Sequence, residues 1–228
     1  MALAKNGSTY SEGLSGVWAT NWTSGSFAVG SGSNRILVVS IGVYLAAGLT
    51  NPCVTGVKWG GSGGTPLTKV ASAQFDTGAT REREASLWYL VAPTVQTSTL
   101  YLTFADSIRD VRVSATVWDG AAQTTPFTGA NTAEHPWATT HSVVVSSATN
   151  SLVIDSINGT LTALTCSQTQ DALGSTGEVQ LGQSNKAGAA SVTMTWTSAN
   201  MNSVQVAASL APYVDASHIN IALAVGGS

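Results

Sequence analysis

The chain has 228 residues, of which 9% are charged, and its 12 acidic and nine basic side chains give a formal net charge of −3. The Lys and Arg are scattered, so no basic stripe exists to neutralise a phosphate backbone, and nucleic acid is excluded as an expected partner. Two Cys and three dispersed His show no C-x-x-C or H-x-x-x-H spacing, so neither a metal site nor a cofactor is expected.

In chain order, the first residues, MALAKNGSTYSEGLSG, contain no apolar run long enough for a signal peptide. No segment approaches the roughly 20 apolar residues of a membrane span. Synthesis in the cytoplasm is therefore expected, with no membrane partner and with release by lysis or within a particle. Residues 1–25 are read as an N-terminal arm, carrying Trp18 and Trp22 in the polar stretch GVWATNWTSG.

Residues 26–212 are read as one all-β domain, a length that β-sandwiches often reach without splitting. The run RILVVSIGVY, residues 35–44, has apolar residues in both parities, as a strand covered on both faces requires. In VKWGGSGGTPLTKV the glycines Gly60, Gly61, Gly63 and Gly64 surround Ser62 in a G-x-S-x-G pattern. A nucleophile elbow needs a helix after the serine, whereas TPLTKV alternates like a strand, so this stretch predicts a hairpin turn and no catalytic residue. REREA, residues 81–85, alternates charge and is expected on a solvated edge.

Period-two alternation is clearest in STLYLTF, with Leu100, Leu102 and Phe104 on one face. DVRVSATVW follows, with Val111, Val113, Ala115 and Val117 inward and Arg112, Ser114, Thr116 and Trp118 outward. The two segments are expected as strands joined by a short polar turn. AAQTTPFTGANTAEHPWATTH reads as a long loop carrying His135, Trp137 and His141. SLVIDSI, residues 151–157, is a weaker copy of the first buried run, entered from TN as that one is entered from SN. Its Asp155 either lines the interior or points outward from an edge.

SVTMTW and SVQVAASL then repeat the strand, turn, strand layout, with Val192, Met194, Trp196, Val204, Val206, Ala208 and Leu210 on the inward faces. Two similar halves, each with a buried strand and a closing hairpin, suggest a pseudo-duplicated double sheet. About ten strands joined by long loops predict a jelly-roll-like antiparallel β-sandwich of two sheets. Residues 213–228 form a separate tail in which Ile219, Ile221, Leu223 and Val225 alternate with small or polar residues. That pattern suits a strand that closes its own sheet or adds to a neighbouring subunit's edge. Cys53 and Cys166 bridge only if the fold brings them together, and otherwise serve as small buried hydrophobes.

Among the seven tryptophans, Trp59, Trp88, Trp118 and Trp196 lie in strands and are expected to pack into the core or against a sheet face. Trp18, Trp22 and Trp137 are the candidate binding residues. Exposed loop aromatics stack on sugar rings or anchor protein interfaces; the alternative is that they plug the open ends of the sandwich.

The segments VGSGSNRILVVSIGV, VTGVKWGGSGGTPLTKV, ASLWYLVAP and RVSATVWDGAAQTTPF occur in an order that resembles a β-sandwich module of phage-encoded and bacterial proteins. The likeness covers roughly residues 28–127. It implies binding or assembly in phage particles or surface proteins, and no catalytic signature. The resulting expectation is a non-enzymatic virion protein that decorates or cements a capsid. Its partner would be the major capsid protein, and it would form a homo-oligomer, a dimer or trimer, through Ile219, Ile221, Leu223 and Val225. The alternative is a glycan- or receptor-binding module of a tail fibre or surface protein.

Overall fold

The computed structural model describes residues 2–45, 48–76 and 81–215, and among them there is no helix. From the first half of the chain come β1 (Ala4–Thr23), β2 (Phe27–Val29), β3 (Ile36–Tyr44), β4 (Val54–Trp59), β5 (Thr65–Pro66), β6 (Thr68–Asp76), β7 (Arg81–Val91), β8 (Gln96–Ser98) and β9 (Leu100–Asp119). The second half gives β10 (Phe127–Val145), β11 (Leu152–Gly159), β12 (Thr165–Cys166), β13 (Thr169–Thr176), β14 (Val179–Ala187) and β15 (Val192–Leu210). The fold is the expected all-β antiparallel sandwich. One sheet runs β5-β4-β9-β3-β7-β6 with β1 also on β9, and the other runs β10-β15-β11-β14-β13 with β12 also on β15. The short β2 and β8 pair separately.

Each main sheet is built from one continuous half of the chain, and every strand of the second half has a counterpart in the first, where β2, β5 and β8 are additional. The pairings of β9 with β1, β3 and β4 recur as β15 with β10, β11 and β12. Likewise β7 with β3 and β6 recurs as β14 with β11 and β13. The packing between the sheets has the same symmetry. Strand β6 packs on β10 and β15 as β13 packs on β1 and β9, while β7 packs on β11 and β15 as β14 packs on β3 and β9. Contacts that survive exchange of the halves define a pseudo-twofold relation. Asn34 and Asn150, at φ 53° and 71°, hold equivalent entries into β3 and β11, which explains the SN and TN that precede the two buried runs.

Several expectations are corrected. Residues 4–23, read as an arm, form β1 and pair with β9 along nearly its whole length. Both expected closing hairpins are single long strands. Strand β9 pairs with β3 through residues 110–118 and with β4 through 100–104, so it bends between two neighbours where a turn was expected. Strand β15 bends likewise between β11 and β12. The stretch read as a loop around Trp137 is β10. REREA lies inside β7, with Arg83 and Glu84 buried; the Glu84 carboxylate accepts hydrogen bonds from the Cys53 amide at 2.5 Å and Gln74 Nε2 at 3.1 Å. Ser114, Thr116 and Trp118, expected to face water, are covered by the second sheet.

The seam between sheets is apolar at one end, where Ile36, Val38, Leu87 and Trp118 meet Ile154, Val206 and Leu210. Its other end is hydrogen-bonded. Ser114 Oγ donates to Gln183 Oε1 at 2.8 Å, and Asn158 Nδ2 donates to the Val43 and Glu84 carbonyls at 3.0 and 2.9 Å. Gly42 makes room for that amide, since a Cβ there would stand 3.0 Å from Asn158 Cγ. The first sheet also curls around its own apolar core, from Trp22 and Leu37 to Val113 and Val117.

Candidate interaction site

Two tryptophans stand out from an otherwise well-buried aromatic set. Trp18 is 59% exposed and Trp137 is 70% exposed. Each lies where the first long strand of its half loses register with its partner: Trp18 between the pairs Ser15/Asp110 and Ala19/Ile108, Trp137 between His135/Ser203 and Ala138/Met201. These are the bends at which β9 and β15 pass from one neighbouring strand to the next. β-Bulges of this kind re-aim side chains and raise local twist.

The two bends share more than position. Both tryptophans have left-handed backbone, φ 49° and 44°, and both are followed by Ala and Thr, as Ala19-Thr20 and Ala138-Thr139. At each bend a side chain of the facing strand accepts from an amide of the bulge. Asp110 Oδ1 takes the Gly16 N–H at 3.2 Å, and Asn202 Oδ1 takes the Trp137 N–H at 2.8 Å. Asp110 and Asn202 are equivalent positions of β9 and β15, one residue before the matched Val111 and Ser203. Earlier in the same strands Gly7 and Gly129, both at positive φ, mark a second pair of matched bulges. A left-handed conformation suits Gly or Asn and costs a bulky side chain about 1–2 kcal/mol. Each indole is mostly in water, so burial repays little of that cost.

Trp22, the third expected binding residue, is a core residue. It is 8% exposed and belongs to the apolar cluster inside the first sheet. Strict period two would put Trp22 on the face of Trp18, but register is lost again between Ala19 and Asn21, and Trp22 falls inward, opposite Leu102. Ile219, Ile221, Leu223 and Val225 lie outside the described residues.

Ser62 sits in the turn between β4 and β5, with Gly60 and Gly61 at φ 101° and 82°, as the hairpin reading required. Lys58 Nζ donates to the Ser62 carbonyl at 2.8 Å. Among the described residues no three His, Cys, Asp or Glu side chains are grouped as metal ligands, and no helix is long and apolar enough to cross a membrane. Cys53 and Cys166 are free thiols in different halves.

Sequence reasoning missed a polar network in the interior of the second half. Asp155 is fully buried and its carboxylate accepts from the Ser184 amide at 3.0 Å, the Ser184 hydroxyl, Trp196 Nε1 at 2.8 Å and Gln205 Nε2 at 2.7 Å. Burial raises its pKa to about 6 against the pull of those donors. Nearby His141 is buried between Ser198 Oγ at 2.8 Å and Ser203 Oγ at 2.7 Å, with the His135 ring edge-on at 5.2 Å. Burial and the neighbouring His135 lower its pKa to about 4. An Asp inside an apolar run was the signal available, but the partners come from strands far along the chain. The network presents every oxygen of Asp155 to a donor, so it reads as structural.

No protein-family model matches the chain, and no curated protein matches it.

Proposed function

We propose that the protein is a non-enzymatic docking component of a virus particle, a decoration protein that binds across neighbouring capsid subunits and holds them together. The observation that carries this reading is the pair of exposed indoles on matched bends of a weakly charged sandwich. Buried aromatics at the centre of a patch dominate binding energies, and Trp is the residue most enriched among such anchors. The resemblance of residues 28–127 to a phage-associated module supports a virion setting. A protein that binds the assembled shell more tightly than its separate subunits stabilises it by mass action, without chemistry. Association into a dimer or trimer belongs to the same proposal.

The test is to mix purified protein with empty capsids of the phage that encodes it, then follow co-sedimentation and the capsid's thermal transition. Binding with a raised transition temperature is the expected result. Protein left in the supernatant, with an unchanged transition, overturns the reading. A second reading, glycan binding, is favoured by the same indoles because a flat exposed ring stacks on a sugar face. Glycan-array binding lost in Trp137→Ala would select it.

A further inference from the structure

The docking surface of the proposed function is present twice. Exchange of the two halves carries β1 onto β10 and β9 onto β15, and with them the Trp18 bend onto the Trp137 bend. Four features coincide at each: a register shift, a tryptophan with positive φ, the following Ala-Thr, and a side-chain oxygen from Asp110 or Asn202 that accepts a bulge amide.

What surrounds these bends has diverged. Val39, buried in the first half, corresponds to Asp155 in the second; Val113 corresponds to Gln205 and Trp22 to His141. The first half also carries extra residues, Gly16 and Val17, at its bend. The interiors have therefore changed where packing constrains them most, while an exposed indole on unfavourable backbone is present in both. A requirement that acts on both bends and on neither core comes from outside the chain.

Resting on the docking reading above, we propose that the Trp18 and Trp137 bends are two copies of one binding site. Their partner is a protein surface that displays the same epitope twice, as a lattice of identical subunits does. Sites of like local chemistry take like ligands. The apolar and hydrogen-bonded seam between the sheets fixes the spacing of the two bends. Bivalent engagement gains only when the partner's epitopes keep a matching spacing, which a subunit lattice does and a flexible glycan does not.

The test uses the full chain as wild type, Trp18→Ala, Trp137→Ala and the double variant, each checked for an unchanged thermal transition. Should an Ala variant fold poorly, Gly at the same position suits the left-handed backbone and replaces it. With dissociated capsid subunits as probe, the expected stoichiometry is two per wild-type chain, one for each single variant and none for the double. With intact empty capsids, each single variant weakens apparent affinity by a similar factor, about 10²–10⁴. One single variant behaving as wild type and the other as the double overturns the duplication while leaving the docking reading standing. Failure of wild type to bind either probe overturns both. Loss of binding to a polysaccharide, equal in the two single variants, assigns the paired sites to a glycan and overturns the protein lattice.

Discussion

The two halves solve one topology with different interiors. In the first, the curled sheet encloses a single apolar cluster that takes in Trp22, Val39, Val57, Leu102 and Val113. In the second, the same rungs of the sheet carry His141, Asp155, Cys166, Trp196 and Gln205, and the apolar residues divide into two small groups, around Met194 and around Ile157. Strand pairing is thus indifferent to whether the enclosed space is apolar or polar, even though the polar interior leaves Gln205 Oε1 without a hydrogen-bond partner. Stability is not indifferent, because the polar solution depends on all its members at once.

The most damaging way to test this is to move the polar residue without its network. Val39→Asp places a carboxyl on the rung between Trp88 and Ala115, among apolar neighbours with no donor set prepared for it. An unpaired buried carboxyl costs several kcal/mol, which is comparable to the whole stability of a domain of ~5–15 kcal/mol. Loss of cooperative folding by circular dichroism is expected. A cooperative transition near that of wild type would show that the first core tolerates polarity as the second does.

The reciprocal change, Asp155→Ala, leaves Trp196 Nε1, Gln205 Nε2 and both donors of Ser184 without their acceptor. Each buried donor left unpaired costs about 1–3 kcal/mol, so a loss of about 4 kcal/mol in urea denaturation is expected. Asp155→Asn, which keeps one acceptor oxygen, should lose less.

The same network sets an acid response, alongside that of Glu84 in the first half, whose pKa burial also raises. Asp155 has its pKa raised from 3.8 to about 6, so the folded state holds that proton more tightly than the unfolded one. Its contribution to stability is fully present below pH 3.8 and is lost as pH rises through 6, by about 3 kcal/mol. His141 is lowered from 6.5 to about 4, so the folded state holds its proton less tightly, and stability falls as pH drops from 6.5 through 4. The two slopes oppose each other between pH 4 and 6. Glu84 and His135 add slopes of their own, so each group is read by chemical denaturation as the difference between a variant's profile and that of wild type across that window. Asp155→Asn should lose stability toward acid, and His141→Gln should gain it. Parallel profiles for the three proteins would remove both groups from the account.

Much of this architecture is legible in the sequence, and the part that is not has a physical reason. The buried runs at residues 35–44 and 151–157 show themselves because apolar residues in both parities fit only a strand covered on both faces. The duplication shows in the SN and TN entries, since a left-handed Asn is a local requirement written locally. The long strands β9 and β15 do not show themselves. Polar residues such as Asp106 and Ser107 read as a turn, whereas in the fold they mark a bend between two sheet neighbours, a choice made by β3 and β4 from elsewhere in the chain. Arg83 and Glu84 read as solvated because charge alternation is usually an edge, and their partners come from other parts of the chain: Arg83 Nη1 donates across the seam to the Gly159 carbonyl at 3.1 Å, while Glu84 accepts from Cys53 and Gln74 within the first half. Polar surroundings mark Trp18, Trp22 and Trp137 alike, yet the first and last are exposed and Trp22 is buried, because surroundings in sequence do not report the face of a strand.

The smallest effect expected is a gain. Where the interiors of the halves differ, their bends agree, so a matched pair of substitutions there should behave alike. Trp18→Gly and Trp137→Gly each relieve a bulky side chain of left-handed backbone and uncover little, since the indoles are mostly in water. Each should raise stability by up to about 1 kcal/mol, and the two gains should add, because the sites lie in different sheets. Differential scanning calorimetry resolves such an increment as a rise of about 2–4 °C. If the substitutions destabilise instead, the indoles brace the bends and are held there by the fold. If they stabilise, the chain keeps two unfavourable residues that its own folding does not need, as proteins do where binding is the reason for a residue's presence.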